Sequence, residues 1–190
     1  MATNHPAQPL SYEDYAAIDD DRRYQVLEGE LIVSPSPNRR HQRLVVRLTT
    51  ALATYAEASG AGEVFVAPFD VVLRAERPAT VLQPDVLFVA AARAEVVTAA
   101  NVQGAPDLVV EVLSPSNARL DTVRKYKLYA AFGVREYWML PLEFDRLEVV
   151  RLGDDGTFSR PLLHLPGDVL TSPLLPGFAL PIAPLFEGLD

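Results

Sequence analysis

Glu111 stands in the run Leu108-Val109-Val110-Glu111-Val112-Leu113, with apolar neighbours one and two positions away on both sides. Whichever face of a strand it takes, its surroundings are apolar, and an unpaired carboxylate there would be costly to desolvate. Such a group is normally protonated, ion-paired with an arginine or lysine, or bound to a cation. Asp85 opens a second apolar run, Gln83-Pro84-Asp85-Val86-Leu87-Phe88-Val89. Proline suits a strand's first residue because it donates no ladder hydrogen bond. An aspartate at that point can lie near the middle of a neighbouring strand, so Asp85 and Glu111 are candidates to converge on one ion. Two carboxylates, completed by waters and substrate oxygens, make an oxygen-rich magnesium site. Read alone, Pro-Asp fits a turn cap equally well.

Lys125 is the third candidate. In a helix over 121–132 it lies three, four and seven positions before Leu128, Tyr129 and Phe132, so it shares the face that packs on a sheet, while Lys127 points away. It can pair with Glu111, polarise a phosphate or an attacking water, or pair with Asp121 four residues earlier. It can also lay its stem on apolar surface and lead the ammonium out to water. The three histidines are separated and do not suggest zinc. His41, among Arg39, Arg40 and Arg43, reads as a surface residue of a solvated basic turn that could contact phosphate. His5 falls in the N-terminal tail and His164 in a proline-rich region. Ser114-Pro115-Ser116 reads as the start of a helix, Tyr137-Trp138 as core, and glycine-rich phosphate loops are absent.

The elements that must position these residues follow from periodicity and punctuation. A capping box at Ser11-Tyr12-Glu13-Asp14 predicts a short helix ending near Ile18. Residues 24–33 predict a hairpin around Glu28-Gly29. Leu44, Val45, Leu48, Leu52 and Tyr55 predict a helix over 38–59, stopped by Gly60. Strands are expected at 63–67, 69–73 and 85–90, with a short helix near 92–99. The run 107–113 has the composition of a strand buried on both faces. A helix over 118–132, a strand at 136–140 and a hairpin of 147–152 with 158–163 follow. The prolines from Pro161 onward predict an extended, irregular tail with one short terminal turn. Strands alternating with helices predict an α/β fold, a mixed sheet with helices on both sides. Residues 1–190 read as one domain with a loose tail at 1–9 and a proline-rich extension at 161–190.

Composition narrows the classes. An apolar share of 49% supports a sizeable core. No apolar run is long enough for a membrane span, residues 1–9 lack the pattern of a signal peptide, and the absence of cysteine excludes disulfide and thiol chemistry. A cytoplasmic location without membrane association is the expectation. Seventeen basic against twenty-five acidic residues give a net charge of −8, which disfavours tight, non-specific binding of a phosphate backbone. Arg39, Arg40, Arg43 and Arg47 nevertheless form a cluster that could make a local basic groove.

Four stretches together resemble the Uma-type family of endonucleases: Arg23-Tyr24-Gln25-Val26-Leu27-Glu28-Gly29-Glu30-Leu31, then Arg40-His41-Gln42, then Gln83-Pro84-Asp85-Val86, and the long stretch from Gly104 through Glu111 and Ser116 to Trp138. The resemblance covers roughly residues 10–150. It implies a restriction-endonuclease-like mixed central sheet flanked by helices, with a PD-(D/E)xK-type site. In that pattern Asp85 and Glu111 occupy the acidic positions that bind magnesium, with manganese as a substitute. The usual lysine position is Leu113, and Lys125 matches a lysine that family members supply from the following helix. Gln25 stands where the family tends to have glutamate, which removes one negative charge while keeping a group able to orient water.

These readings imply a metal-dependent DNA endonuclease in which Lys125 assists the attacking water and Gln25 is a peripheral contact. The alternative is a catalytically weak or inactive domain that binds nucleic acid or a protein partner, with Glu111–Lys125 a structural ion pair. Self-association as a homodimer or higher homo-oligomer is expected on either reading.

Overall fold

The computed structural model describes residues 8–115 and 120–189, with the side chain of Asp121 outside that set. Most of the expected tail at 1–9, His5, Ser116 and the first residues of the expected helix at 118–132 therefore lie outside the described residues. So does the alternative Asp121–Lys125 pair.

Helix α1 (Tyr12–Ala16) begins with the expected capping box, in which Ser11 and Asp14 satisfy each other's backbone N–H groups. Strands β1 (Tyr24–Leu27) and β2 (Glu30–Val33) form the hairpin. Its turn places both Glu28 and Gly29 at positive φ, the geometry a two-residue hairpin needs to match strand twist. Helix α2 (Arg39–Ser59) is capped by the Asn38 side chain and closed by Gly60 in the left-handed conformation. Leu44, Leu48, Leu52 and Ala56, one turn apart, form its buried stripe.

Strands β3 (Gly62–Val66), β4 (Asp70–Arg74), β5 (Thr80–Leu82) and β6 (Val86–Ala90) follow. A 3₁₀ segment at Ala91–Val96 replaces the short helix expected near 92–99. Beyond it come β7 (Asn101–Gln103) and β8 (Leu108–Leu113). The helix after β8 opens with a wide π-helical turn at Leu120–Lys125 and tightens into α3 (Tyr126–Phe132). Strands β9 (Glu136–Pro141), β10 (Leu147–Arg151) and β11 (Leu162–His164) complete the main sheet.

The strands divide into two mixed sheets. The larger has the order β11-β10-β9-β8-β6-β3, with only β8 and β9 parallel; the smaller is β2-β1-β5-β4-β7, with only β4 and β7 parallel. Burial alternates along the larger sheet. Leu108, Val110, Val112, Trp138 and Leu140 face α2, whereas Val109, Leu113, Tyr137 and Met139 face α3 and the smaller sheet. Both faces of β8 are thus covered, which explains its near-continuous apolar sequence. The far face of the smaller sheet packs Val26, Val72 and Val81 beneath Tyr12 and Tyr15 of α1. Strands β5 and β7, three residues each, are too short to carry a periodic signal.

The expectation of an irregular tail is corrected. Residues 169–186 form a hairpin, β12 (Val169–Ser172) with β13 (Leu175–Pro181), followed by α4 (Ala183–Phe186). Alternation outweighs the prolines: Leu170, Leu175, Phe178 and Leu180 point into the core while Pro176 and Pro181 face out. A two-stranded ribbon has an open edge on each strand, where proline's missing N–H costs nothing. The hairpin is tied to the main sheet by Ser172, whose hydroxyl donates to Glu136 at 2.7 Å. No helix among the described residues is long and apolar enough to cross a membrane.

Phe178 reports on this docking. It stacks on Trp138 at 6.0 Å between ring centroids and meets Tyr55 edge-on at 5.4 Å. Phe178→Ala is expected to lower unfolding free energy by about 3–5 kcal/mol, measured by urea denaturation. A loss below about 1 kcal/mol would mean the tail does not share the core.

Candidate active site

The antiparallel register of β6 on β8 begins with Val86 paired to Val110, so Asp85, immediately before β6, comes to the end of the strand pair beside the Glu111–Val112 stretch of β8. The Asp85 carboxylate is fixed by the backbone N–H of Val112, which donates to Oδ2 at 2.8 Å. Both carboxylates line one cleft of about 690 Å³, bounded by α2, the segment from Ser34 to Asn38, and the ends of β6 and β8.

Glu111 is 4% exposed and Lys125 3%. The Lys125 ammonium donates to Glu111 Oε1 at 2.8 Å, and the Tyr129 hydroxyl donates to the same oxygen, also at 2.8 Å. The wide turn before α3 places Lys125 on the sheet-facing side, and Tyr129 follows one turn later. Two charge-assisted hydrogen bonds supply the compensation that a carboxylate in this apolar layer requires. Gln25 lines the same cleft: its amide donates to Ser34 Oγ at 3.1 Å and its carbonyl accepts the Gln83 backbone N–H at 3.1 Å. Gln25 thereby braces the Gln83-Pro84-Asp85 segment from the neighbouring sheet.

Gln83 is held from its other end as well. Its amide donates to Asp70 Oδ1 at 2.9 Å and to the Tyr15 hydroxyl at 3.3 Å. Burial, with the Asp70 carboxylate beside it, pushes the Tyr15 phenol well above its ordinary range, so it keeps its proton and donates to Asp70.

Four neighbours of the site escape a reading by residue type alone. His41 is not a surface residue of a solvated turn: its side chain is 14% exposed, and Nε2 lies 3.1 Å from Asp85 Oδ2. A signal was present, since His41 stands three and seven positions before Leu44 and Leu48, on their stripe. Tyr129, four residues after Lys125, carries the same kind of signal. Arg23 and Thr49 line the cleft without any such pattern.

The anticipated basic groove on α2 is also corrected. Arg40 pairs with Asp145, Arg43 donates to the Gly188 carbonyl at 2.7 Å, and Arg47 donates to the carbonyls of Leu185 and Glu187. These guanidiniums tie α2 to other parts of the chain. Other buried carboxylates have structural surroundings. Glu136 accepts from Trp138, Arg151 and Ser172, and Asp107 accepts from the Ala90 N–H and pairs with Arg93 and Arg135; neither lines the cleft.

The donor set suits a hard divalent cation in one particular way. Among the described residues no group of three or more His, Cys, Asp or Glu side chains is gathered as a metal cage. Asp85 and Glu111 supply two carboxylates to one cleft, and magnesium is commonly held by one or two carboxylates, with waters and substrate phosphate oxygens filling the shell. The residues fit an ion that is completed by substrate, not one caged by protein.

A mixed sheet packed between helices, with a cleft at its strand ends that carries two carboxylates and a lysine, defines a restriction-endonuclease-like α/β protein. A solved structure described as a putative nuclease belonging to DUF820 from Anabaena variabilis ATCC 29413 matches with a TM-score of 0.78, covering 96% of this chain and 100% of that one. Identity is 15%, so the likeness is one of fold. The family described as Uma2, putative restriction endonuclease, matches residues 11–183, and the chain belongs to it. None of the curated proteins matches.

The Glu111–Lys125 contact yields a stability prediction. Lys125→Met removes a buried cation from beside a buried carboxylate and is expected to cost about 3–5 kcal/mol. Adding Glu111→Gln should recover a substantial part of that loss. Urea unfolding at pH 7 checks both, and a double variant no more stable than Lys125→Met would contradict the pairing.

Proposed function

We propose that this chain is a magnesium-dependent phosphodiesterase acting on DNA, with manganese able to substitute. The observation that carries the reading is that Asp85, held by the N–H of Val112, and Glu111, the residue before Val112, line one cleft, with Lys125 bonded to Glu111. Asp85 and Glu111 would hold the ion. When bound, it supplies polarisation of the scissile phosphate and a lowered pKa for its water. Lys125, fixed in place by Glu111, is set to stabilise charge developing on the phosphoryl oxygens or to orient the attacking water. Gln25 acts at the periphery, holding Gln83-Pro84-Asp85 in register through the Gln83 N–H.

A second reading draws on the same residues. Glu111 Oε1 already accepts from Lys125 and Tyr129, and Gln25 brings no charge to the cleft. On this reading the Glu111–Lys125 pair is structural, and the domain binds nucleic acid or a protein partner with weak or no catalysis.

Self-association accompanies both readings. Strand β11 is an edge of the larger sheet, and Leu162 and Leu163 on it and Leu165 just beyond it are each about half exposed. Such an edge favours pairing with another chain. Sedimentation velocity at micromolar concentration should show a dimer or larger species; a monomer would remove this part of the proposal.

The catalytic reading is tested by incubating varied DNA substrates with magnesium or manganese. Wild type should cleave, and Asp85→Ala should lose at least a hundredfold in rate while remaining folded. Calorimetric titration with manganese should show binding that Glu111→Gln abolishes. Equal inertness of wild type and Asp85→Ala, with no manganese binding in either Glu111 form, would favour the structural pair.

A further inference from the structure

Among the described residues, six buried side-chain polar atoms have no hydrogen-bond partner, and three of them, Arg23 Nε, His41 Nδ1 and Thr49 Oγ1, belong to residues lining the cleft of Asp85 and Glu111. Buried polar groups are normally satisfied, so a concentration of unsatisfied ones on a single cleft wall points to polar groups of a ligand. Arg23 is the most telling of the three. Its described side-chain bond is a long one, Nη2 to Gln83 Oε1 at 3.5 Å. Lys125, the other lysine or arginine on the cleft wall among the described residues, is committed to Glu111. Arg23 is thus the cleft guanidinium that no carboxylate neutralises among the described ion pairs.

The surrounding charge limits what that guanidinium can hold. Duplex DNA carries one charge per roughly 1.7 Å of its axis, and proteins that bind it neutralise several phosphates together. Here three of the four arginines of α2 that would extend such a track are engaged elsewhere, Arg40 by Asp145, and Arg43 and Arg47 by carbonyls of the C-terminal segment, and the fourth, Arg39, does not line the cleft. The chain as a whole carries −8. The cleft volume of about 690 Å³ falls in the class of roughly 300–1,000 Å³ that encloses ligands of a few hundred daltons. One or two nucleotides fit that class and a double helix does not. The carboxylates are also recessed, with Glu111 nearly inaccessible from the surface. Among the described residues no phenylalanine, tryptophan or tyrosine lines the cleft, which leaves bases without the stacking platform by which they are usually held.

We propose that the cleft admits single-stranded DNA, a free end or an unpaired segment, and that Arg23 anchors a backbone phosphate next to the Asp85–Glu111 pair. The inference deepens the DNA reading above and rests on it for the kind of ligand. Recognition through phosphate alone makes binding indifferent to base identity and sensitive to salt. Arg23 binds and positions the strand; the chemistry belongs to the carboxylates.

The test is fluorescence anisotropy without divalent ion, using a labelled twelve-nucleotide single strand and the same sequence locked in a hairpin duplex. Wild type should bind the single strand at least tenfold more tightly than the duplex, across several base compositions. Arg23→Gln should weaken single-strand binding about tenfold and make the slope of log affinity against log salt shallower by about 0.7, the value for one phosphate on a single strand. Arg23→Lys keeps the charge without the planar fork, so its affinity should fall while the slope stays; it carries the test if Arg23→Gln does not fold. Duplex binding as tight as single-strand binding, an unchanged slope in Arg23→Gln, or no binding by wild type would each overturn the proposal. The two readings fail separately. Arg23-dependent binding without cleavage sinks only the nuclease activity, and cleavage of duplex DNA indifferent to Arg23 sinks only this inference.

Discussion

A carboxylate in the middle of a sheet covered on both sides imposes its needs on everything around it. Glu111 occupies a strand whose every other side chain is apolar, on the face that meets α3 and the smaller sheet. Left alone there, an ionised group would cost several kcal/mol after relaxation. The fold answers with Lys125 and Tyr129 on one oxygen. That answer requires the helix after β8 to present two residues four apart toward the sheet, and a wide turn immediately before α3 does so. Replacing the three by hydrocarbon would keep the core, so the polar arrangement is better explained by what it places in the cleft than by stability.

Much of this was legible in the sequence, and the reasons differ from residue to residue. Glu111 betrayed itself by contrast with its neighbours, and Lys125 by its phase relative to Leu128 and Tyr129. Helix α2 and the Tyr24–Val33 hairpin carried strong periodic and turn signals. His41 was misread because the charges of Arg39, Arg40 and Arg43 suggested a solvated surface, although its helical phase with Leu44 pointed inward. The tail was misread because its prolines were weighed above the alternation of Leu170, Leu175, Phe178 and Leu180. Strands β5 and β7 are three residues long, and no window of sequence separates such segments from loop. The division into two sheets depends on contacts distant in sequence, such as β1 on β5, that local patterns cannot encode.

The position of Asp85 shows how the two sheets cooperate. The larger sheet holds its carboxylate through the Val112 N–H. The smaller sheet holds the segment before it, because Gln25 on β1 accepts from Gln83, and Asp70 on β4 accepts from the Gln83 side chain. A glutamate at position 25 could also accept the Gln83 N–H but could not donate to Ser34. The serine hydroxyl could instead donate to such a carboxylate, so the same frame is compatible with either residue and the glutamine chiefly removes a negative charge, which lowers the field on any bound cation.

The C-terminal segment belongs to the same chain of dependence, although none of its residues lines the cleft. Arg43 and Arg47 bind carbonyls of residues 185–188, and Tyr55 donates to the Pro176 carbonyl at 3.1 Å. These bonds, with Phe178 against Trp138, fix the angle at which α2 lies on the larger sheet. Helix α2 in turn carries His41 to Asp85 and forms the wall containing Val45, Val46 and Thr49. Guanidiniums that on an isolated helix would read as a phosphate track instead tie α2 to the rest of the chain. The acidic balance of the chain and its arginine-rich helix are then compatible, because Arg40, Arg43 and Arg47 are engaged by a carboxylate and carbonyls of the chain itself.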